Sequence, residues 1–261
     1  MRKGSKRILL TVGILAVAIT IVLSAVSLKI AYVVPILMYH SIDYNDKASK
    51  LSVSPESFAR QMEFLYKNHY NVIPLEKAIP YIQKRQKPPR KTIAITLDDG
   101  LSNNYLYAYP VLKKYNIPAA IFVIVNRVGG PGFLSWDQIK EMSDSGIVTI
   151  GSHTRAHFWL LGSDERFLKD EVVGSKNILE EKLGKKVGLF CYPMGAFDEK
   201  SKKAVKDAGY VCAVSTNPKS GPTDIYAIKR VKISRSADNL LVFWAETTRF
   251  YTWLKRRKEA E

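Results

Sequence analysis

Two adjacent carboxylates and a spaced histidine pair are the residues best suited to chemistry. Asp98 and Asp99 stand side by side in Thr96-Leu97-Asp98-Asp99-Gly100, at the end of an apolar run over 92–97. Neighbouring carboxylates repel each other unless a cation or a shared proton relieves them. One metal-bound and one free carboxylate would do so. Read alone, an Asp-Asp-Gly turn is also what a solvated loop carries. The chain has four histidines, and two of them, His153 and His157, lie four residues apart at the end of another apolar run. Neutral imidazoles are common ligands of zinc-like ions. Asp99, His153 and His157 make a two-histidine, one-carboxylate set that leaves positions open for water and substrate. The same set suits non-haem iron, so an oxygenase stays open at this level. A third run ends in Cys191-Tyr192-Pro193-Met194-Gly195. A Pro-x-Gly turn can present a backbone N–H to an oxyanion.

These residues need a scaffold that gathers strand ends. Short apolar runs recur at 35–39, 72–75, 92–97, 119–125, 147–151, 187–192, 210–215 and 227–233. Several are apolar throughout, as parallel strands covered on both faces are. Helical patterns fill the gaps. Ser54-Pro55 starts one helix, with Phe58, Met62 and Leu65 on one face. Ser135 and Gln138 form a capping box. A long charged helix is predicted over 164–183 with Gly184 as its stop, and Asp198 caps another that Gly209 ends. The alternation predicts the α/β class and a (β/α) barrel. It does not by itself exclude an open doubly wound sheet. A last aromatic and basic helix is expected over 239–258, its aromatics covering the barrel or touching a membrane face.

The start of the chain follows different rules. Arg2, Lys3, Lys6 and Arg7 precede a stretch, 8–28, without a charged residue, and Lys29 follows it. Roughly 20 apolar residues span a bilayer. We therefore expect residues 1–33 to be a basic start plus a single membrane anchor, with a cleaved signal as the alternative. The flanking charges put the N-terminus in the cytoplasm and the domain, 34–261, outside it. A net charge of +16 favours anionic surroundings such as lipid headgroups or acidic cell-wall polymers. Nucleic acid is not an expected partner, because no aromatic-interleaved basic stripe is present. Cys191 and Cys212 match no zinc spacing and read as buried free thiols.

The three motifs in this order resemble the polysaccharide deacetylases of the NodB-homology type, carbohydrate esterase family 4. The family's Thr-Phe-Asp-Asp-Gly reads Thr96-Leu97-Asp98-Asp99-Gly100 here, and its His-[Ser/Thr]-x-x-His reads His153-Thr154-Arg155-Ala156-His157. The third motif is similar to the Tyr-Pro-x-Gly form of the poly-N-acetylglucosamine deacetylase branch, as are Pro35–Ile42 and the helix from Ser54. The resemblance implies a distorted (β/α) barrel, a polysaccharide substrate and one divalent metal ion, often zinc, on Asp99, His153 and His157. It implies Asp98 as the base that takes a proton from metal-activated water, and the Met194 N–H as oxyanion donor. Tyr192, Pro193, Met194 and Arg230 make up the expected substrate and oxyanion side.

Two departures matter. Cys191 stands where the family's third motif has arginine, so Asp98 needs another orienting group, for which Arg230 is the candidate. The family's late Leu-x-His is absent, and no histidine follows His157. His40 becomes the candidate acid for the leaving amine, while His69 reads as structural. The alternatives to a deacetylase are a degenerate glycan-binding module of the same fold and an O-acetyl esterase.

Overall fold

The computed structural model describes residues 12, 14–16, 18–21, 33–44, 50–216 and 223–258, the side chains of 255–258 excepted. Of the expected membrane span only 12, 14–16 and 18–21 are described, as helix with exposed side chains; the rest of it and its basic flanks lie outside the described residues. Among the described residues no helix is long and apolar enough to cross a membrane.

Among the described residues nine strands form one parallel system: β1 (Ile36–Tyr39), β2 (Asn71–Val72), β3 (Thr92–Leu97), β4 (Ala119–Val123), β5 (Val148–Ser152), β6 (Leu189–Cys191), β7 (Cys212–Ser215), β8 (Ile228–Lys229) and β9 (Val231–Lys232). The order is β8-β7-β6-β5-β4-β3-β1-β9, with the short β2 beside the start of β3. The two edge strands are halves of one run, interrupted only at Arg230. Ile228 and Lys229 pair with Val214 and Ser215, while Val231 and Lys232 pair with Leu37 and Met38. The run 228–232 thus bridges both sheet edges and closes a distorted barrel, which excludes the open doubly wound sheet.

Strand side chains alternate between faces, and here they feed two apolar layers. Ile93, Ile95 and Leu97 of β3 join the layer under the helices, while Ala94 joins the barrel interior. Ala120, Phe122, Leu189, Cys191, Cys212, Val214 and Ile228 are also interior. Both faces are covered, so β3 and β4 are buried along their whole length. The interior is tight around Phe122. A Cβ on Gly151 would lie 2.6 Å from the Phe122 ring. Gly151→Ala is expected to cost about 1–3 kcal/mol through overpacking; an unchanged urea midpoint would show that the interior gives way instead.

Outside the barrel, α1 (Pro55–Lys67) buries Phe58, Met62 and Leu65, with Ser54 accepting from Ser57 N. α3 (Tyr109–Tyr115) packs beside α1, and α4 (Trp136–Asp144) begins at the Ser135 capping box. α7 (Glu199–Asp207) begins at Asp198.

Three expectations need correction. The run 72–75 is strand only at its start: β2 ends at Val72, Ile73 N still donates to Ile93 O, and α2 (Leu75–Gln83) begins after Pro74. Pro80 inside α2 breaks the helical signal in the sequence, and α2 adds Leu75, Ala78 and Ile82 to the barrel-interior cluster. The helix expected over 164–183 is α5 (Glu165–Leu168), a π-helical turn (Lys169–Gly174) and α6 (Ser175–Leu183), ended by Gly184 at φ 64°. The last helix is two, α8 (Leu240–Glu246) and α9 (Arg249–Lys258). Phe243 is buried against Phe64, whereas Trp244 and Phe250 stay exposed.

Candidate active site

The site follows from strand parity. Counting in twos along β3 from interior Ala94 reaches Thr96 and then Asp98. The same count reaches Cys191 from Leu189, and Arg230 from Ile228. These side chains meet inside the upper end of the barrel. Asp98, His153 and Arg230 are all at least nine-tenths buried.

Asp99 follows Asp98 with φ 71°, a left-handed backbone that takes it off the strand direction. Its Oδ1 lies 3.5 Å from His153 Nε2 and 3.6 Å from His157 Nε2. Donors about 2.0–2.2 Å from a tetrahedral ion sit roughly 3.3–3.5 Å from one another, so the spacing suits a shared ion. Protonation and tautomer agree. Burial pushes the His153 pKa down against the opposing pull of Asp98 and Asp99, so the ring is neutral near pH 7. Its Nδ1 is 2.8 Å from the Cys191 carbonyl. In the neutral ring that nitrogen donates its proton, which leaves the Nε2 lone pair for a metal.

A second group, Asp98, His153 and Cys191, also lies within ligand range. It is the poorer metal site. Burial drives the Cys191 pKa well up and keeps the thiol neutral, while the ligating form of cysteine is the thiolate. The cation beside it is Arg230, which donates to Cys191 Sγ at 3.1 Å.

Arg230 grips Asp98 with both arms of its guanidinium. Nη1 donates to Oδ1 at 2.6 Å and Nη2 to Oδ2 at 2.7 Å. Nη1 also donates to Thr96 Oγ1 at 3.0 Å, and the guanidinium lies 5.7 Å from the centroid of the Phe122 ring. Burial alone would raise the Asp98 pKa; the charge and hydrogen bonds of Arg230 outweigh it and hold the carboxyl below the usual carboxylate range. Each carboxylate oxygen has about two lone-pair sites, so this grip leaves acceptor capacity. His40 is close to the same group, with Nε2 3.8 Å from Asp98 Oδ2 and its side chain 22% exposed.

The structure redistributes the expected substrate side. Arg230 is 4% exposed and spends its Nη donors on Asp98, Thr96 and Cys191, which places it as an orienting group for Asp98. Tyr192 is buried as well. Its ring stacks on Phe197 and its hydroxyl donates to the Tyr226 carbonyl at 3.0 Å. Pro193 is buried in the turn Pro193–Gly195, and only Met194, 61% exposed with φ 54°, faces outward. His69 lies in the turn after α1 and donates its N–H to Tyr66 O, apart from the site.

Asp99, Thr154, His157 and Met194 all have φ between 54° and 71°. Such a backbone is uncommon outside glycine and marks strain held by surrounding structure. Three further roles were not read from the sequence. Thr96 steadies Arg230, the Cys191 carbonyl sets the His153 tautomer, and Glu171 reaches the loop between the two histidines. Strand parity would have flagged Thr96.

Residues 85–213 match the family model described as polysaccharide deacetylase. A poly-beta-1,6-N-acetyl-D-glucosamine N-deacetylase of Staphylococcus epidermidis is 31% identical, over 73% of this chain and 71% of its own. IcaB from Ammonifex degensii superposes with a TM-score of 0.72 at 29% identity, covering 82% of this chain and 97% of that one. The Streptococcus pyogenes deacetylase PplD, solved in complex with acetate, gives 0.73 at 26% identity, covering 80% and 97%.

Proposed function

The chain belongs to the polysaccharide deacetylase family, hydrolases that act on N-acetyl groups, and from that premise we propose that it N-deacetylates an N-acetylglucosamine-containing polysaccharide outside the cytoplasmic membrane. One divalent ion, zinc in our reading, is held by Asp99, His153 and His157. The observation that carries this is that ligand set standing beside an Asp98 whose two oxygens are fixed by Arg230.

When bound, the ion supplies Lewis acidity that polarises the acetyl carbonyl and acidifies water. Asp98 accepts the proton of the attacking water, because Arg230 keeps it ionised and correctly turned. The Met194 N–H supports the oxyanion, and His40, in its protonated form, donates a proton to the amine nitrogen as the C–N bond to the acetyl carbon breaks. Membrane attachment through 8–28 completes the proposal; the uncharged run and its basic flanks support it.

The test is acetate release from β-1,6-linked N-acetylglucosamine oligomers, chitin oligomers, peptidoglycan and O-acetylated xylan, with and without a chelator. We expect release from an N-acetylated glycan, loss with chelator and recovery with zinc. Binding without acetate release in metal-replete protein would point to a glycan-binding module, and release from xylan alone to an esterase.

A further inference from the structure

The loop that carries both histidine ligands is held from outside the barrel, and the holding group is a buried acid. Glu171 is 3% exposed. Its Oε2 accepts from Arg155 N at 3.0 Å and from Ala156 N at 2.9 Å. Two successive main-chain N–H groups converging on one oxygen form an anion-binding nest. The nest lies between Thr154 at φ 66° and His157 at φ 64°. No regular helix or strand holds His157 in that backbone, so the loop depends on its side-chain contacts.

The rest of the loop is bound to the same region. Asp170 pairs with the Arg155 guanidinium. Ser175, first residue of α6, accepts from Ser152 Oγ at 2.8 Å, and Ser152 Oγ accepts from Thr154 N at 3.1 Å. Thr154 Oγ1 then accepts from His157 N at 3.0 Å. On the other side Asn126 N donates to Arg155 O at 2.8 Å. Glu171 and Asp170 both belong to the π-helical turn Lys169–Gly174. π turns within α-helices recur at functional sites because they redirect side chains.

We propose that Glu171 is a positioning residue for the metal centre: by capping the Arg155 and Ala156 N–H groups it holds His157 within reach of the ion shared with His153 and Asp99. It touches neither metal nor substrate. This rests on the metal-centre reading above. Outer partners of metal ligands typically govern about 10–100-fold in metal affinity. Glu171→Ala should raise the free zinc needed for half occupancy by about that factor. Glu171→Gln keeps an oxygen acceptor and should restore most of the loss.

The experiment is zinc binding to full-length protein by competition with a chromophoric chelator, for the parent, Glu171→Ala and Glu171→Gln. Amide hydrogen exchange at Arg155 and Ala156 is followed in the parent. We expect weakened zinc binding in Glu171→Ala, near-parental binding in Glu171→Gln, and slow exchange at both parental amides. Zinc affinity unchanged in Glu171→Ala would overturn the proposal, as would parental amides that exchange as freely as an open loop, a result available even if the variants fail to fold. A parent that binds no zinc would instead overturn the metal-centre reading itself.

Discussion

Asp98→Asn is expected to lower kcat for acetate release by about 10²–10⁴-fold, the usual contribution of a positioned acid or base. Asparagine keeps the shape and one acceptor oxygen but cannot take a proton from water. Asp99, His153 and His157 are untouched, so zinc content and KM should stay close to parental. The substitution has a second consequence. Asp98 is the counter-charge of Arg230, which is 4% exposed. Leaving a buried charge unpaired costs about 3–5 kcal/mol, so the variant will also unfold earlier. The rate must therefore be expressed per bound zinc in protein verified as folded. A value near parental would mean that the proton leaves by another route, and His40, 3.8 Å from the same carboxylate, would be the next candidate.

What the sequence disclosed of this site follows from what is local. Asp98-Asp99-Gly100 and His153-x-x-x-His157 are short spacings at strand ends, and the strands themselves read from apolar runs. The barrel closes through a non-local fact: one five-residue run pairs with β7 on one side and β1 on the other, with Arg230 between the halves. Tyr192 shows how strand alternation divides a motif. It neighbours Cys191 in the motif, but alternation turns Cys191 inward and sends Tyr192 to Phe197 and the Tyr226 carbonyl. Glu171 was invisible for another reason. In Lys169-Asp170-Glu171 it looks like one more charge on a solvated helix face. In the fold it lies in the π turn, buried against the histidine loop, a contact that no local spacing announces. Pro80 hid α2 because an interior proline normally ends a helix.

Replacing Arg230 tests the other half of the carboxylate pair, and Arg230→Met is expected to cost about 3–5 kcal/mol at neutral pH. Methionine fills part of the space above Phe122 but leaves Asp98 buried without its partner. The pH dependence carries the sign of the effect. In the parent, the Asp98 carboxyl lies below its unfolded value of about 3.9. The pair's stabilisation is therefore fully present above about pH 3.9 and is lost as pH falls through the folded value. Without Arg230, burial dominates and raises the carboxyl above the unfolded value. Stability then favours the protonated acid and declines as pH rises through the new folded value. The difference between parent and variant should thus be largest near neutrality and shrink on acidification toward about pH 4. Urea unfolding of metal-free protein at both pH values measures it. Activity should move with it, since a carboxyl that stays protonated to higher pH shifts the acid limb of the rate profile upward. Arg230→Lys keeps the charge but not the two-armed grip on Oδ1 and Oδ2, so it should retain more stability than methionine yet still lose rate through a misoriented Asp98. A methionine variant whose deficit is the same at both pH values, with an unshifted rate profile, would show that Arg230 serves packing alone.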